Sequence, residues 1–221
     1  MNKTLFRTRI KFCGFTRVGD VRLASELGVD GIGFVFAPGS PRRVHVAEAR
    51  TMRNAMLPFV DAVALFRDNP AEEVREVVRQ LRPTLLQFHG DETPEVCRAL
   101  AAGRPWMRAA RIPLDAPESF DLLKFALDHS EAQALLLDAH VEGYGGAGKT
   151  FPWSRLPTSV NCHAVLSGGL TPANVGDGIV QVRPRCQSLA VDVSSGVESS
   201  KGIKDAGKMA AFIAEVRNAD V

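Results

Sequence analysis

No stretch of this 221-residue chain approaches the ~20 consecutive apolar residues that a membrane-spanning helix needs. Behind the opening residues Met1 to Arg7 there is no apolar run of signal-peptide length, so a cytoplasmic protein is expected. Neither sign of charge dominates: 27 Lys and Arg stand against 25 Asp and Glu, a formal net charge of +2. That balance lacks the electrostatic footprint of a nucleic-acid binder, and neither nucleic acid nor a membrane is expected as a partner. Basic residues are scattered apart from Arg42-Arg43, which is a pair and not a patch. Cysteine is sparse. Cys13, Cys97, Cys162 and Cys186 form no Cys-x-x-Cys pair and no Cys/His zinc spacing, so four reduced thiols and no metal are expected. No composition shift or low-complexity segment marks a boundary, and residues 1–221 are expected to form one domain.

What the chain does have is alternation. Short apolar runs at 10–13, 31–36, 62–66, 85–88, 106–112, 134–137, 164–167 and 189–193 are separated by amphipathic segments. Several are continuous rather than alternating, as parallel strands buried on both faces require. Between them, Val74, Val77, Val78 and Leu81 repeat at helical spacing, as do Met209, Phe212, Ile213 and Val216. Val18, Val21, Ala24 and Leu27 make a third stripe, closed by Gly28. Helix starts are signalled at Asn69-Pro70, Thr93-Pro94, Asp115 with Glu118, and Thr171-Pro172. Eight strand–helix units predict a single-domain α/β (β/α)8 barrel with a parallel eight-stranded sheet. The sixth unit is the weakest, because 151–156 offers at most a short helix.

In such a barrel, function collects at the C-terminal ends of the strands. The runs Leu166-Ser167-Gly168-Gly169-Leu170 and Asp192-Val193-Ser194-Ser195-Gly196-Val197-Glu198 follow the seventh and eighth strands. Small residues there, each leading toward a helix start, predict a backbone cradle for a substrate phosphate. Two groups suited to proton transfer end other strands: Cys13 after the first and Asp138 after the sixth. On spacing alone Cys13 reads first as a packed small hydrophobe, and Asp138 could equally cap its loop. Arg42, directly after the second strand, could fork a carboxylate. His89 and Gln87, at the end of the fourth strand, are expected to be satisfied polar groups of the core or loop. Gly143 to Thr150 resembles a Walker A loop only superficially, since no full helix follows it. It reads as a flexible connection or a mobile lid carrying Lys149.

Taken together these residues resemble a family. Lys11-Phe12-Cys13-Gly14-Phe15-Thr16, Gly33-Phe34-Val35-Phe36 with Ser40-Pro41-Arg42, and Gln87-Phe88-His89-Gly90 are similar to the phosphoribosylanthranilate isomerases. So are Leu137-Asp138 leading to Tyr144 through Trp153, and the two glycine–serine runs, in the family's order. The resemblance implies an Amadori rearrangement of N-(5-phosphoribosyl)anthranilate in tryptophan biosynthesis, without cofactor or metal, by a monomer or homodimer. It implies Cys13 as the base at C2′ and Asp138 as the acid at the ring oxygen. Arg42 would receive the anthranilate carboxylate, Gly168, Gly169, Ser194 and Ser195 the phosphate, and Asp192 a ribose hydroxyl. Phe15 stands where the family usually has a smaller aliphatic residue, and 183–187 lengthens the approach to the eighth strand. Two alternatives share the phosphate loops. One is another barrel enzyme acting on a phosphoribosyl amine; the other is a barrel that binds a metabolite without converting it.

Overall fold

The computed structural model describes residues 7–114, 119–140, 150 and 152–220. Eight strands close into one parallel barrel in sequence order: β1 (Arg9–Cys13), β2 (Gly31–Val35), β3 (Asp61–Phe66), β4 (Leu85–Phe88), β5 (Trp106–Pro113), β6 (Ala134–His140), β7 (His163–Leu166) and β8 (Ser188–Val193). Closure is made by β8 on β1, with Lys11 in register with Asp192 and Phe12 with Val193. Among the described residues seven helices surround it: α1 (Val18–Glu26), α2 (Val46–Asn54), α3 (Ala71–Leu81), α4 (Pro94–Ala101), α5 (Leu122–Asp128), α6 (Val175–Val182) and α7 (Ala206–Asn218). Between β6 and β7 the described residues hold only a 3-10 turn, Trp153–Arg155, matching the weak sixth unit. A small antiparallel hairpin, β9 (Glu198–Ser200) and β10 (Ile203–Lys204), follows β8.

The two-residue period of the strands sorts their side chains. Residues such as Ile10, Phe12, Ile32, Phe34, Leu135 and Leu137 point outward into the large core shared with the helices. Their neighbours of the other parity, including Val63, Met107, Ala109, Leu136 and Val165, fill the barrel interior as a separate cluster. Cys13, Gln87, Asp138 and Asp192 share this inward parity, which is why polar groups in otherwise apolar strands end up facing one space. The outer core is aromatic-rich: Phe36, Phe66, Phe88 and Trp106 form a chain of ring contacts 5.7–6.2 Å apart. Each such buried ring is worth about 1.5–3 kcal/mol relative to exposure.

The stripes at 74–81 and 209–216 are wholly buried as expected. The buried stripe at 18–27 is shorter than its pattern, since Val18 opens α1 at 42 % exposure, and Gly28 turns the chain after it with φ 86°. Thr93 caps α4 through a hydrogen bond from the Val96 amide. Two other start signals are displaced. Asn69 does not cap α3 but holds two loops, accepting from the Arg67 amide and donating to the Phe36 carbonyl and Glu73. Thr171 begins a turn closed by the Asn174 side chain, and α6 starts only at Val175. The signal at Asp115 lies outside the described residues; α5 begins at Leu122, capped by Asp121. β6 extends past its apolar run to His140, so Asp138 sits within the strand, in register with Arg111. The long approach to β8 is a 3-10 turn, Arg183–Arg185, and pairing begins at Ser188. None of the four cysteines is in a disulfide.

Candidate active site

A cleft of about 870 Å³, measured to its open mouth, occupies the C-terminal rim. Cys13, Arg42, Asp138, Gly168, Gly169, Asp192, Ser194 and Ser195, the residues singled out in the sequence, all line it. Gln87 and His89 line it too. The acid and the thiol are three strands apart around the barrel, with β7 and β8 and their loops between them.

Cys13 ends β1 with 4 % of its surface exposed. Gly33 on β2 makes room for it: a Cβ there would fall 2.7 Å from Sγ. Burial pushes the Cys13 thiol above its ordinary range, opposed first by Lys11 and supported by Asp192. Desolvation is the stronger effect, and the positive charges of Lys11 and Lys204 only moderate it. Lys11 Nζ donates to Asp192 Oδ1 at 2.7 Å inside the barrel. Burial works against the charge of Lys11, but Asp192 and Cys13 together raise its pKa.

Asp138 is half-buried, and its Oδ2 lies 3.0 Å from Nε2 of His89. The other ring nitrogen of His89, Nδ1, is 2.8 Å from the amide nitrogen of Gln87. With that amide donating, Nδ1 accepts, and the ring hydrogen on Nε2 is donated to Asp138. Of the two residues read as satisfied core or loop groups, His89 is thus the partner of Asp138 and Gln87 the partner of His89. Their inward parity on β4 was the available signal, and it was obscured because the apolar residues flanking them make the strand look uniformly buried.

The two glycine–serine loops differ from expectation in one respect. Gly168 and Gly169 turn the chain with φ of 78° and 65°, a backbone that side chains disfavour. A Cβ on Gly168 would lie 2.4 Å from the Ala139 amide nitrogen and 2.9 Å from Asp138 Oδ1, so this loop packs directly against the acid. Because of these turns α6 begins only at Val175, and after β8 there is a three-residue 3-10 turn, Ser195–Val197, instead of a long helix. The helix-terminus contribution is correspondingly small, and backbone amides must supply most of any anion binding. Ser194 Oγ is buried without a hydrogen-bond partner among the described residues.

Arg42 is also not the open fork the sequence suggested. Its Nε and Nη2 donate to the two oxygens of Glu198 at 2.7 Å each, and only 8 % of the residue is exposed. Arg43 instead reaches the surface and pairs with Glu73. Phe15 is fully buried, its ring 5.4 Å from Lys204 Nζ, behind the cleft rather than in it. Lys149 and the glycine-rich segment at 143–149 lie outside the described residues.

A closed (β/α)8 barrel with a polar cleft between its strand ends and its βα loops has the architecture of the barrel enzymes. A family model described as N-(5'phosphoribosyl)anthranilate (PRA) isomerase matches residues 10–215. The N-(5'-phosphoribosyl)anthranilate isomerase of Xanthomonas campestris pv. campestris strain 8004 is 54 % identical over 225 residues, covering 100 % of this chain and 98 % of the relative. The crystal structure of phosphoribosyl anthranilate isomerase from Thermotoga maritima superposes with a TM-score of 0.84 at 37 % identity, covering 96 % of this chain and 99 % of that one. A phosphoribosyl anthranilate isomerase in complex with reduced 1-(o-carboxyphenylamino)-1-deoxyribulose 5-phosphate superposes with a TM-score of 0.80 at 34 % identity, again covering 96 % and 99 %. The chain belongs to the phosphoribosylanthranilate isomerase family.

Proposed function

We propose that the cleft isomerises N-(5'-phosphoribosyl)anthranilate to the 1-deoxyribulose 5-phosphate product, with Asp138 as general acid and Cys13 as general base. The observation that carries this reading is that both groups face one cleft from strands β6 and β1, with the two glycine–serine loops between them. A phosphate anchored at Gly168, Gly169, Ser194 and Ser195 would lay the sugar between acid and base. Asp138 gives its proton to the furanose ring oxygen, and the C1′–O bond breaks as nitrogen forms the protonated Schiff base. Cys13 then takes the C2′ proton, and the electron pair moves to neutralise the iminium, leaving an enol that becomes the ketone. Taking that proton requires the thiolate form of Cys13; burial works against it, and Lys11 and Lys204 favour it. Asp192, which accepts from Lys11 Nζ at 2.7 Å, would hold a ribose hydroxyl in this reading. A small phosphorylated molecule is the partner in this reading, and the cytoplasm is where the protein would act as a monomer or homodimer.

The test is the loss of anthranilate-adduct fluorescence on incubation with the protein. Cys13→Ser and Asp138→Asn should each lower kcat by several powers of ten with unchanged thermal unfolding, as expected for removal of a proton-transfer group. Near-native turnover by either variant would remove that residue from the mechanism. Tight binding without turnover by the native chain would leave a metabolite-binding barrel instead.

A further inference from the structure

Behind the cleft lies a group of three charges that the acid–base chemistry does not use. Glu198, on β9, takes both Nε and Nη2 of Arg42 at 2.7 Å. Directly across the hairpin, Lys204 on β10 donates to the same carboxylate at 2.9 Å, with no side-chain surface exposed. The Lys204 ammonium also donates to the carbonyl oxygens of Cys13 at 2.6 Å and Ser194 at 3.1 Å. One buried cation therefore ties together the strand that carries the thiol, the loop after β8 and the acid that grips Arg42. The arginine stem is confined as well: it lies against Gly14, where a Cβ would be 2.4 Å from Arg42 Cδ.

Burying three charges is expensive, and such groups are not in general the cheapest way to stabilise a core. What this arrangement does achieve is direction. Arg42 lines the cleft, and with Nε and Nη2 held by an internal carboxylate its other terminal nitrogen, Nη1, has no partner among the described residues and little freedom to turn. Holding a recognition group rigid before the ligand arrives lowers the ordering cost of binding. We infer that Glu198 is a positioning residue for recognition of an aryl carboxylate, setting the direction in which Arg42 presents Nη1, and that Lys204 locks this setting to the Cys13 strand and the Ser194 loop. The inference rests on the reading that Arg42 receives the substrate carboxylate.

The experiment compares the two ends of the ligand separately, with free anthranilate and inorganic phosphate as competitive inhibitors. Four proteins are needed beside the native chain: Arg42→Met, Glu198→Gln, the double variant, and Glu198→Asp. Glu198→Gln should weaken inhibition by anthranilate on the order of tenfold and raise KM more than it lowers kcat, with phosphate inhibition retained. In the Arg42→Met background the same change should cost nothing further against anthranilate, because Glu198 acts through the arginine. Glu198→Asp keeps the buried charge but withdraws it by one methylene, and should show a smaller loss of the same kind if Glu198→Gln folds poorly. Equal losses in both backgrounds, or parallel weakening of phosphate and anthranilate, would overturn the positioning role. So would an anthranilate affinity that neither Glu198 variant changes. If Arg42→Met itself leaves anthranilate inhibition at the native value, the carboxylate reading of Arg42 fails, and that failure is visible without the Glu198 variants.

Discussion

Nε2 of His89 lies 3.0 Å from Oδ2 of Asp138, and the two side chains are similarly shielded, 20 % and 21 % exposed. The pair spans the barrel interior from β4 to β6, and Gln87, fully buried, fixes the far side of the ring. A carboxyl group with one oxygen held in this way keeps the other, Oδ1, aimed along a defined direction. Oδ1 is also the oxygen that faces the tight turn at Gly168.

His89→Ala is therefore expected to lower kcat by about tenfold to a hundredfold through misplacement of the acid, with a smaller effect on KM. In an Asp138→Asn background the same substitution should cost almost nothing more, since the two act as a unit. Steady-state kinetics of the two single variants and the double variant decide this. Full additivity would mean that His89 contributes independently of Asp138.

Gly168 offers a test of the loop itself. At φ 78°, with a backbone nitrogen 2.4 Å from where a Cβ would stand, Gly168→Ala must move the loop away from Asp138. The backbone strain alone is about 1–3 kcal/mol. Gly103 has nearly the same φ, 80°, but open space around its missing Cβ, and it lies at the far end of α4 from the cleft. Gly168→Ala should lower kcat/KM at least tenfold, whereas Gly103→Ala should cost comparable stability and leave kcat/KM at the native value. Equal kinetics for the two would show that the turn at Gly168 serves only folding.

The barrel was legible because eight apolar runs and their spacing are local signals, and strand ends follow from them to within a residue or two in most cases. β6 is the exception: its apolar run stops at Leu137, yet pairing with β5 carries it through Asp138 to His140. The cleft residues were legible by their position at strand ends. Their partners were not, because Arg42 and Glu198 are 156 residues apart and Lys11 and Asp192 are 181 apart. Only closure of the barrel and the β9–β10 hairpin brings such pairs together. The pKa of Cys13 escaped for the same reason. Sequence shows the lysine two residues away, but the depth of burial that outweighs it is a property of the folded whole.

That burial predicts the reactivity of the resting thiol. Alkylation of Cys13 by iodoacetamide, followed on its own peptide by mass spectrometry, should rise with pH to a midpoint above the ~8.5 of an ordinary thiol. Lys11→Met removes the strongest influence favouring the thiolate and should move the midpoint further upward. A native midpoint at or below the ordinary value would show that the thiol is activated before substrate binds.

The remaining three thiols make alkaline stability measurable. Burial raises Cys97 and Cys162 to about 12 and Cys186 to about 11. An unfolded chain loses those protons near pH 8.5 while the folded one keeps them, so above that pH the unfolded state is favoured by each ionisation. Their stabilising contribution is therefore complete below about pH 8.5 and declines as pH rises toward 11–12. Cys13, also raised, adds to the same decline. Urea unfolding midpoints taken from pH 7.5 to 10 should fall for the native chain. A triple variant with Cys97, Cys162 and Cys186 changed to Ala should start lower, having lost buried contacts, but fall less steeply. The comparison isolates the thiols, because lysine deprotonation near pH 10 is common to both proteins. Parallel slopes would mean that the three thiols ionise alike in the folded and unfolded chains.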